Sequence, residues 1–166
     1  MKLDIIIPVY NEDENIKLAY DALTLVMLDI QDKYDYELLF TDNHSTDKTF
    51  EILQNLSKAD KHVRVLRFSK NFGYQSSVLT GYSHACGDAV IQLDCDLQDP
   101  PELIPKLIKN WEEGYNVVYG VRNKREGESF VKIVTAKIFY RLINFLSENY
   151  LPKDAGDFRL VDRKVV

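Results

Sequence analysis

The sequence has few cysteines and no long hydrophobic run. Its 166 residues include two cysteines, Cys86 and Cys95, which form no close-spaced metal-binding pattern and do not indicate a secreted disulfide framework. This usage fits a reducing compartment best. No apolar run approaches the roughly 18 residues that a membrane-spanning helix needs, and the first residues predict a strand rather than a signal peptide. We therefore expect this chain to be soluble or peripheral to a membrane.

Basic residues are also in the minority. The chain has 21 Lys and Arg against 26 Asp and Glu, a formal net charge of −5, which argues against a generic nucleic-acid-binding surface. The charge is uneven, because residues 121–141 hold six Lys or Arg against two Glu, and the remainder carries −9. Such asymmetry indicates one local surface that binds anions. Residues 130–150 are predicted to form a helix, which either belongs to the core or lies on a membrane surface.

The composition is that of a single globular domain, with 45% hydrophobic and 28% charged residues. Short apolar strands alternate with helices and no internal repeat or linker interrupts them. Strands are predicted at residues 3–8, 36–41, 63–68, 89–93 and 116–119, and helices at 15–30, from the capping residues 45–47 to about 57, at 73–86 and at 102–113. Residues 161–166 resemble the first turn of a further helix. The alternation predicts an α/β fold with a mostly parallel sheet, helices on both faces, and ligands beyond the carboxyl ends of the strands.

Two carboxylates, Asp94 and Asp96, follow the fourth predicted strand one residue apart. Placing them so close costs free energy through like-charge repulsion and desolvation, unless a cation or hydrogen bonds compensate. Oxygen ligands suit Mg²⁺ or Mn²⁺, and Gln98 has a side-chain oxygen that could serve as a third ligand. The spacing therefore predicts a metal site, and the alternative is an acidic turn that only caps the next helix.

Three separated segments together resemble a known enzyme family. They read IIIPVYNE at residues 5–12, TDNHSTD at 41–47 and LDCD at 93–96. In this order they are similar to the inverting family 2 glycosyltransferases, which have the Rossmann-like GT-A fold. Two further segments, DCDLQDPP at 94–101 and GDFRL at 156–160, are similar to the polyprenyl-phosphate sugar transferases, the dolichol-phosphate mannose synthase-like branch. The resemblance covers residues 3–166.

The resemblance implies a nucleotide-sugar donor, with a UDP-sugar favoured over a GDP-sugar. The residues that it places near the donor are Pro8, Tyr10, Glu12, Asp42, Asn71 and Asp94. Asp94, Asp96 and Gln98 would hold Mg²⁺ or Mn²⁺ together with the diphosphate. Asp42 has an alternative role as an Asx-type cap of its loop. The common Asp-Asp-Gly-Ser pattern is broken by Asn43 and His44, and His44 is expected to replace glycine in shape rather than act as a base.

The same resemblance implies a polyprenyl-phosphate acceptor. Arg122 and Arg125 would lie on a loop that closes over the phosphates, and the alternative for them is a solvated basic loop. Asp157 matches the residue cast as catalytic base, and Arg159 would supply positive charge. Because the second pKa of a phosphate monoester is near ~6, the acceptor is largely ionised at neutral pH, and Asp157 could instead orient it. The structural alternative for Asp157 is a helix N-cap.

The predicted reaction is a metal-assisted single displacement that inverts the anomeric configuration. Two alternatives stay open: a saccharide acceptor in cell-envelope polysaccharide synthesis, and a nucleotide-sugar-binding module without activity. An Asp-x-Asp phosphohydrolase and a nucleotidyltransferase fit the pattern less well. Enzymes of the resembling branch usually continue with C-terminal membrane helices. The chain is therefore expected to be the N-terminal part of a longer enzyme at the cytoplasmic face of the inner membrane, in contact with the membrane surface, and a homo-oligomer is left open.

Overall fold

The computed structural model describes residues 1–121 and 155–166, and the predicted strands and helices of the first range are all found there. The elements in chain order are β1 (Lys2–Val9), α1 (Ile16–Leu28), β2 (Asp35–Asp42), α2 (Thr49–Ala59), β3 (Val63–Arg67), α3 (Tyr74–His84), β4 (Ala89–Gln92), α4 (Ile104–Glu112), β5 (Val117–Val121) and β6 (Ala155–Asp162). A short 3-10 turn at Pro101–Leu103 leads into α4. Proline is tolerated in the first turn of a helix, where its missing N–H has no partner to lose.

The strands form one six-stranded sheet in the order β3-β2-β1-β4-β6-β5. The strands β3, β2, β1 and β4 run parallel, and β1 lies at the centre with Ile5 opposite Leu38 of β2 and Ile91 of β4. Parallel neighbours need crossover connections, and the helices between these strands supply them. The predicted fold class, a mostly parallel α/β sheet, is confirmed.

Successive side chains of the strands point to opposite faces of the sheet, and helices cover a hydrophobic core on each face. Ile5 and Ile7 pack with buried residues of α1, α2 and α4 on one face. Ile6 points the other way and packs with Val78 of α3 and Val90 of β4. Both sides of β1 are therefore buried, which explains why its sequence is a continuous apolar run rather than an alternating one.

The sixth strand was not predicted, and it corrects the reading of the last residues. The expected helix at 161–166 is wrong, because β6 continues to Asp162 and a turn follows it. β6 pairs antiparallel with β4, and its buried Phe158 and Leu160 join the main core. Asp157 therefore lies in a strand and is not a helix N-cap.

The contacts divide the chain into two compact units, Met1–Tyr119 with Asp157–Val166, and Gly120–Gly156. Nearly all of the second unit lies outside the described residues, as do the predicted helix at 130–150 and the predicted site residues Arg122 and Arg125. Within the described ranges, no helix is long and apolar enough to cross a membrane.

Candidate functional site

A cavity of about 320 Å³ opens at the carboxyl edge of the parallel strands. It is bounded by the ends of β1 and β4, by the loop after β2, and by the start of α3. The residues that line it are Pro8, Val9, Tyr10, Glu12, Asn43, Asn71, Gly73, Tyr74, Ser77, Asp94, Cys95 and Asp96. Six predicted site residues are among them, drawn from three separate segments of the sequence. This is the edge at which open α/β sheets bind ligands.

The loops after β1 and β2 hold each other in place around one side of this cavity. The Asn11 backbone N–H donates to Ser45 Oγ at 2.9 Å, and the Thr46 N–H donates to Asn11 Oδ1 at 2.8 Å. Asn11 and His44 both have positive φ, of 56° and 65°. This left-handed conformation favours glycine, so the expectation that His44 replaces a glycine in shape is confirmed.

Asp42 lies at this edge but does not line the cavity. Its side chain is completely buried, with Oδ1 accepting the Ser45 backbone N–H at 2.9 Å and Oδ2 lying 3.4 Å from Arg67 Nε. These contacts are those of an Asx-type cap that shapes the loop. Its predicted role in donor binding stays a prediction.

The neighbouring Asn43 does line the cavity and joins the loops that follow β2 and β3. Its Nδ2 donates to Asn71 Oδ1 at 2.9 Å, and its Oδ1 accepts the Phe72 backbone N–H at 2.8 Å. Asn71 Oδ1 also accepts the Gly73 N–H at 2.8 Å, at the start of α3. The predicted donor-site residue Asn71 is thus held by a side chain that neutral Asn43 can provide and an aspartate cannot, since a carboxylate has no N–H.

The carboxylates Asp94 and Asp96 lie on the turn directly after β4, and both line the cavity. Asp94 Oδ1 accepts the Tyr74 hydroxyl proton at 2.8 Å, while Asp96 Oδ1 accepts the Gln98 backbone N–H at 3.0 Å. Burial raises the pKa of the Asp94 carboxyl above its usual range, and the charges of Asp157 and Asp96 raise it further. Gln98 itself is exposed and does not line the cavity, so its predicted contact with a metal stays a prediction.

Cys95, between the two carboxylates, is buried in the main core and also lines the cavity. Desolvation raises the pKa of its thiol to about 12, with Glu12 and the flanking carboxylates adding to the effect. The thiol is therefore protonated and unreactive at neutral pH, as expected of a small buried side chain.

Asp157 and Arg159 approach the same region from β6. Arg159 Nη2 lies 3.5 Å from Asp157 Oδ1, and Arg159 Nε donates to Gln92 Oε1 of β4 at 3.1 Å. The charge of Asp157 contributes to the raised pKa of Asp94 and of the Tyr74 hydroxyl. The structure therefore brings these predicted acceptor-side residues within electrostatic reach of the Asp94 side of the cavity.

Known proteins are similar to this chain in sequence. The sequence model of Glycosyl transferase family 2 matches residues 4–166. The chain belongs to this family. It is 48% identical over 165 residues to the uncharacterized glycosyltransferase YkcC of Bacillus subtilis, covering 99% of this chain and 50% of the relative. It is 39% identical over 166 residues to the bactoprenol glucosyl transferase of Shigella phage SfX, covering 100% of this chain and 54% of the relative. The chain spans about half the length of these curated relatives.

Two solved structures share the fold of this family 2 chain at low sequence identity. The mannosyltransferase PcManGT from Pyrobaculum calidifontis, in complex with GDP-Man and Mn²⁺, has a TM-score of 0.66 and 20% identity, covering 98% of this chain and 45% of that one. The glucosyl-3-phosphoglycerate synthase from Mycobacterium tuberculosis, in complex with UDP, has a TM-score of 0.68 and 20% identity, covering 99% and 57%. The predicted GT-A fold is confirmed.

The carboxylate oxygens that follow β4 in this family 2 chain are suitable ligands for a hard divalent cation. Asp94 and Asp96 provide carboxylate oxygens at the cavity, and a cation would offset the repulsion that raises the pKa of Asp94. In residues 1–121 and 155–166, no group of three or more His, Cys, Asp or Glu side chains could hold a metal ion. Mg²⁺ is usually bound by one or two carboxylates together with substrate phosphates. Two carboxylates therefore suit an ion that a bound diphosphate also ligates.

Three residues of the site were missed by sequence reasoning. Tyr74 contacts Asp94, Gln92 contacts Arg159, and Ser77 lines the cavity with a completely buried Oγ that has no hydrogen-bond partner in the described part of the chain. Gln92 had a visible signal, since it is the one polar residue of the apolar strand β4. Tyr74 and Ser77 had none, because tyrosine and serine are ordinary residues in a helix of low amphipathicity.

Proposed function

We propose that this family 2 chain carries the donor-binding and catalytic residues of a metal-dependent inverting glycosyltransferase that transfers a sugar to a polyprenyl phosphate. The observation that carries the proposal is the cavity that Asp94 and Asp96 line together with residues of the β1 and β2 loops, with Asp157 and Arg159 within electrostatic reach of Asp94. The bactoprenol glucosyl transferase of Shigella phage SfX supports the acceptor class, because it is similar over the whole chain.

The donor would occupy the cavity between the first and fourth strands. Pro8, Tyr10 and Glu12 line the β1 side, where a nucleoside would bind, and Asn71 lines the α3 side. The fold relatives solved with UDP and with GDP-Man and Mn²⁺ support a nucleoside-diphosphate donor. We favour a UDP-sugar, and UDP-glucose is the first donor to test.

Asp94 and Asp96 would hold Mg²⁺ or Mn²⁺ against the donor diphosphate. When bound there, such an ion neutralises the negative charge that develops on the leaving diphosphate. The protein itself holds both carboxylates in place before any ligand arrives, Asp94 through Tyr74 and Asp96 through the Gln98 backbone N–H. Preorganisation of this kind lowers the cost of reorganisation during the reaction.

The acceptor phosphate would bind beside β6. The Arg159 guanidinium can donate to phosphate oxygens, and Asp157 can orient the acceptor or take up its proton. An oxygen of the acceptor phosphate attacks the anomeric carbon while the bond to the diphosphate oxygen breaks, so configuration inverts and a nucleoside diphosphate leaves. Because the acceptor carries a polyprenyl chain, the reaction would take place at a membrane surface. Arg122 and Arg125 remain predicted phosphate ligands.

Calorimetry with UDP-glucose and GDP-mannose, in the presence of Mn²⁺ or Mg²⁺, tests donor binding. Mass spectrometry with farnesyl phosphate as acceptor then tests transfer. We expect Asp96→Ala to abolish transfer with an unchanged circular dichroism spectrum. Asp21→Ala is the matched control, because Asp21 is an exposed carboxylate on α1 that pairs with Lys17 at 2.8 Å, away from the cavity residues. Normal turnover by Asp96→Ala would refute the role of this carboxylate in the reaction.

A further inference from the structure

A buried amide links the two halves of the candidate site. Gln92 ends β4 and its side chain is completely buried. Its Nε2 donates to the Tyr74 hydroxyl at 3.2 Å, and its Oε1 accepts from Arg159 Nε at 3.1 Å and from the Tyr82 hydroxyl at 3.3 Å. Both ends of a single side chain therefore have hydrogen bonds: the nitrogen contacts α3, and the oxygen contacts β6 together with a second residue of α3.

The direction of every hydrogen bond in this chain of contacts follows from its two ends. Arg159 can only donate, so the amide oxygen of Gln92 must face it and the amide nitrogen must face Tyr74. Ionised Asp94 can only accept, so Tyr74 must give its hydroxyl proton to Asp94 Oδ1 at 2.8 Å. The Tyr74 oxygen is then left to accept from Gln92. The proton order is consistent along the whole chain, with no clash of two donors or two acceptors.

This series of hydrogen bonds joins residues that lie far apart in the sequence. Asp94 is the donor-side carboxylate, and Arg159, at the other end, is paired with Asp157 at 3.5 Å. The antiparallel register of β4 and β6 places Gln92 directly opposite Arg159. α3 brings Tyr74 over the end of β4, where its hydroxyl reaches both Gln92 and Asp94.

We propose that Gln92 is a positioning residue that, through Tyr74, orients Asp94 for the metal–diphosphate group and, through Arg159, aligns the acceptor side with it. The inference rests on the proposed function, which supplies the roles of Asp94 and Arg159. Its physical basis is that the amide is buried and has hydrogen bonds at both ends, so it cannot rotate without leaving buried polar groups unpaired. Asp94 Oδ2 has no hydrogen-bond partner among residues 1–121 and 155–166, so it is the oxygen open to a cation.

The test measures Mn²⁺ binding by electron paramagnetic resonance, with UDP present, on the chain and two variants. Gln92→Met keeps the volume of the side chain but removes all three hydrogen bonds of the amide, and Tyr74→Phe removes the hydroxyl alone. Loss of a residue that orients a metal ligand typically weakens metal binding 10- to 100-fold, so we expect about tenfold weaker Mn²⁺ binding in each variant. The double variant should bind Mn²⁺ no more weakly than the weaker-binding single variant, because Gln92 acts on Asp94 only through Tyr74.

A matched control separates positioning from general loss of stability. Tyr20→Phe removes a tyrosine–carboxylate hydrogen bond of the same kind, from Tyr20 to Asp60 at 2.9 Å, between α1 and the end of α2. It should leave Mn²⁺ affinity unchanged. Gln92→Met should also weaken binding of farnesyl phosphate, whereas Tyr74→Phe should not, since Tyr74 contacts Asp94 and not Arg159.

Two results would overturn the proposal. One is unchanged or tighter Mn²⁺ binding in Gln92→Met, and the other is a further loss when Gln92→Met is added to Tyr74→Phe. If the wild-type protein binds neither UDP nor Mn²⁺, the proposed function fails. Urea unfolding then tests separately whether Gln92 links Tyr74 to Arg159. With Gln92 present, the combined effect of Tyr74→Phe and Arg159→Met on the unfolding equilibrium constant should differ by more than about twofold from the product of their separate effects. In the Gln92→Met background, the two effects on the free energy of unfolding should be additive. Additivity in both backgrounds would refute the linkage.

Discussion

Neutralising Asp94 should stabilise the ligand-free protein and abolish its response to ligand. The Asp94→Asn substitution keeps an oxygen that can accept the Tyr74 hydroxyl proton, and it removes a negative charge from a partly buried position. Burial and the charges of Asp157 and Asp96 raise the pKa of Asp94, and these effects outweigh the hydrogen bond from Tyr74, which lowers it. The ionised carboxylate is thus a net cost to the folded state.

The size of this gain can be bounded from the same contacts. Since Asp94 is partly exposed, solvent screens its interactions with the neighbouring charges. Interactions between such charges typically contribute up to about 1 kcal/mol, so we expect a gain of at most about 1 kcal/mol at pH 7. For a chain of this size, that corresponds to a rise of roughly 2–4 °C in Tm.

The pH dependence has a definite sign. The raised pKa means that the folded state loses stability as pH rises from the unfolded value of about 3.9 through the folded value. The advantage of Asp94→Asn should therefore be complete at pH 7 and disappear below about pH 4.

Ligand should reverse the order of stability. If UDP and Mn²⁺ are present at about 100 times Kd, the wild-type chain gains roughly 2.7 kcal/mol and overtakes the variant, which gains much less. Differential scanning fluorimetry with and without ligand measures both parts. Asp96→Asn is the control, because Asp96 is exposed, so its neutralisation should remove the ligand response but raise the Tm less than Asp94→Asn, since it relieves only the repulsion on Asp94 and not the burial of a charge. A lower Tm for Asp94→Asn without ligand at pH 7 would refute the reasoning.

Three further predictions concern single side chains. Ser77→Ala should stabilise the ligand-free fold by about 1 kcal/mol in urea unfolding, since it removes a buried hydroxyl without a partner in the described ranges, and UDP titration should show weaker binding if the donor satisfies that hydroxyl. His44→Gly should be close to the wild type in urea unfolding, whereas His44→Val should lose about 1–2 kcal/mol, because a β-branched residue is strained at a φ of 65°. The Lys164 backbone N–H and the Trp111 indole N–H lower the pKa of Asp162, so Asp162→Asn should destabilise at pH 7, and its difference from the wild type should vanish as acid protonates the wild-type carboxylate.

The strands and helices up to residue 121 could be predicted because their signals are local. β1 is a continuous apolar run that is buried on both faces, and Pro101 marks the approach to α4. Asp94 and Asp96 could be placed at the ligand edge for the same reason, since a polar turn directly after a buried parallel strand must lie at its carboxyl end. The structure puts both of them at the cavity.

The sixth strand was missed although a signal existed. Asp157 and Arg159 alternate with Phe158 and Leu160, which is the period of a strand with one buried face. The preceding glycine and the helix-like last residues instead favoured a turn followed by a helix. Pairing with β4 decides its structure, and that pairing joins residues about seventy positions apart, such as Gln92 and Arg159. Local propensity carries no information on such a partner.

The sequence by itself determined the kind of sheet, the edge at which ligands bind, and the family, because apolar periodicity and the spacing of short motifs are local properties of the chain. Tertiary structure alone decided that Asp42 is buried against Arg67, that Tyr74 reaches Asp94, and that Gln92 stands between the two sides of the site. The reason is that hydrogen bonds of buried polar groups depend on which strands and helices become neighbours, and folding of the whole chain makes that choice.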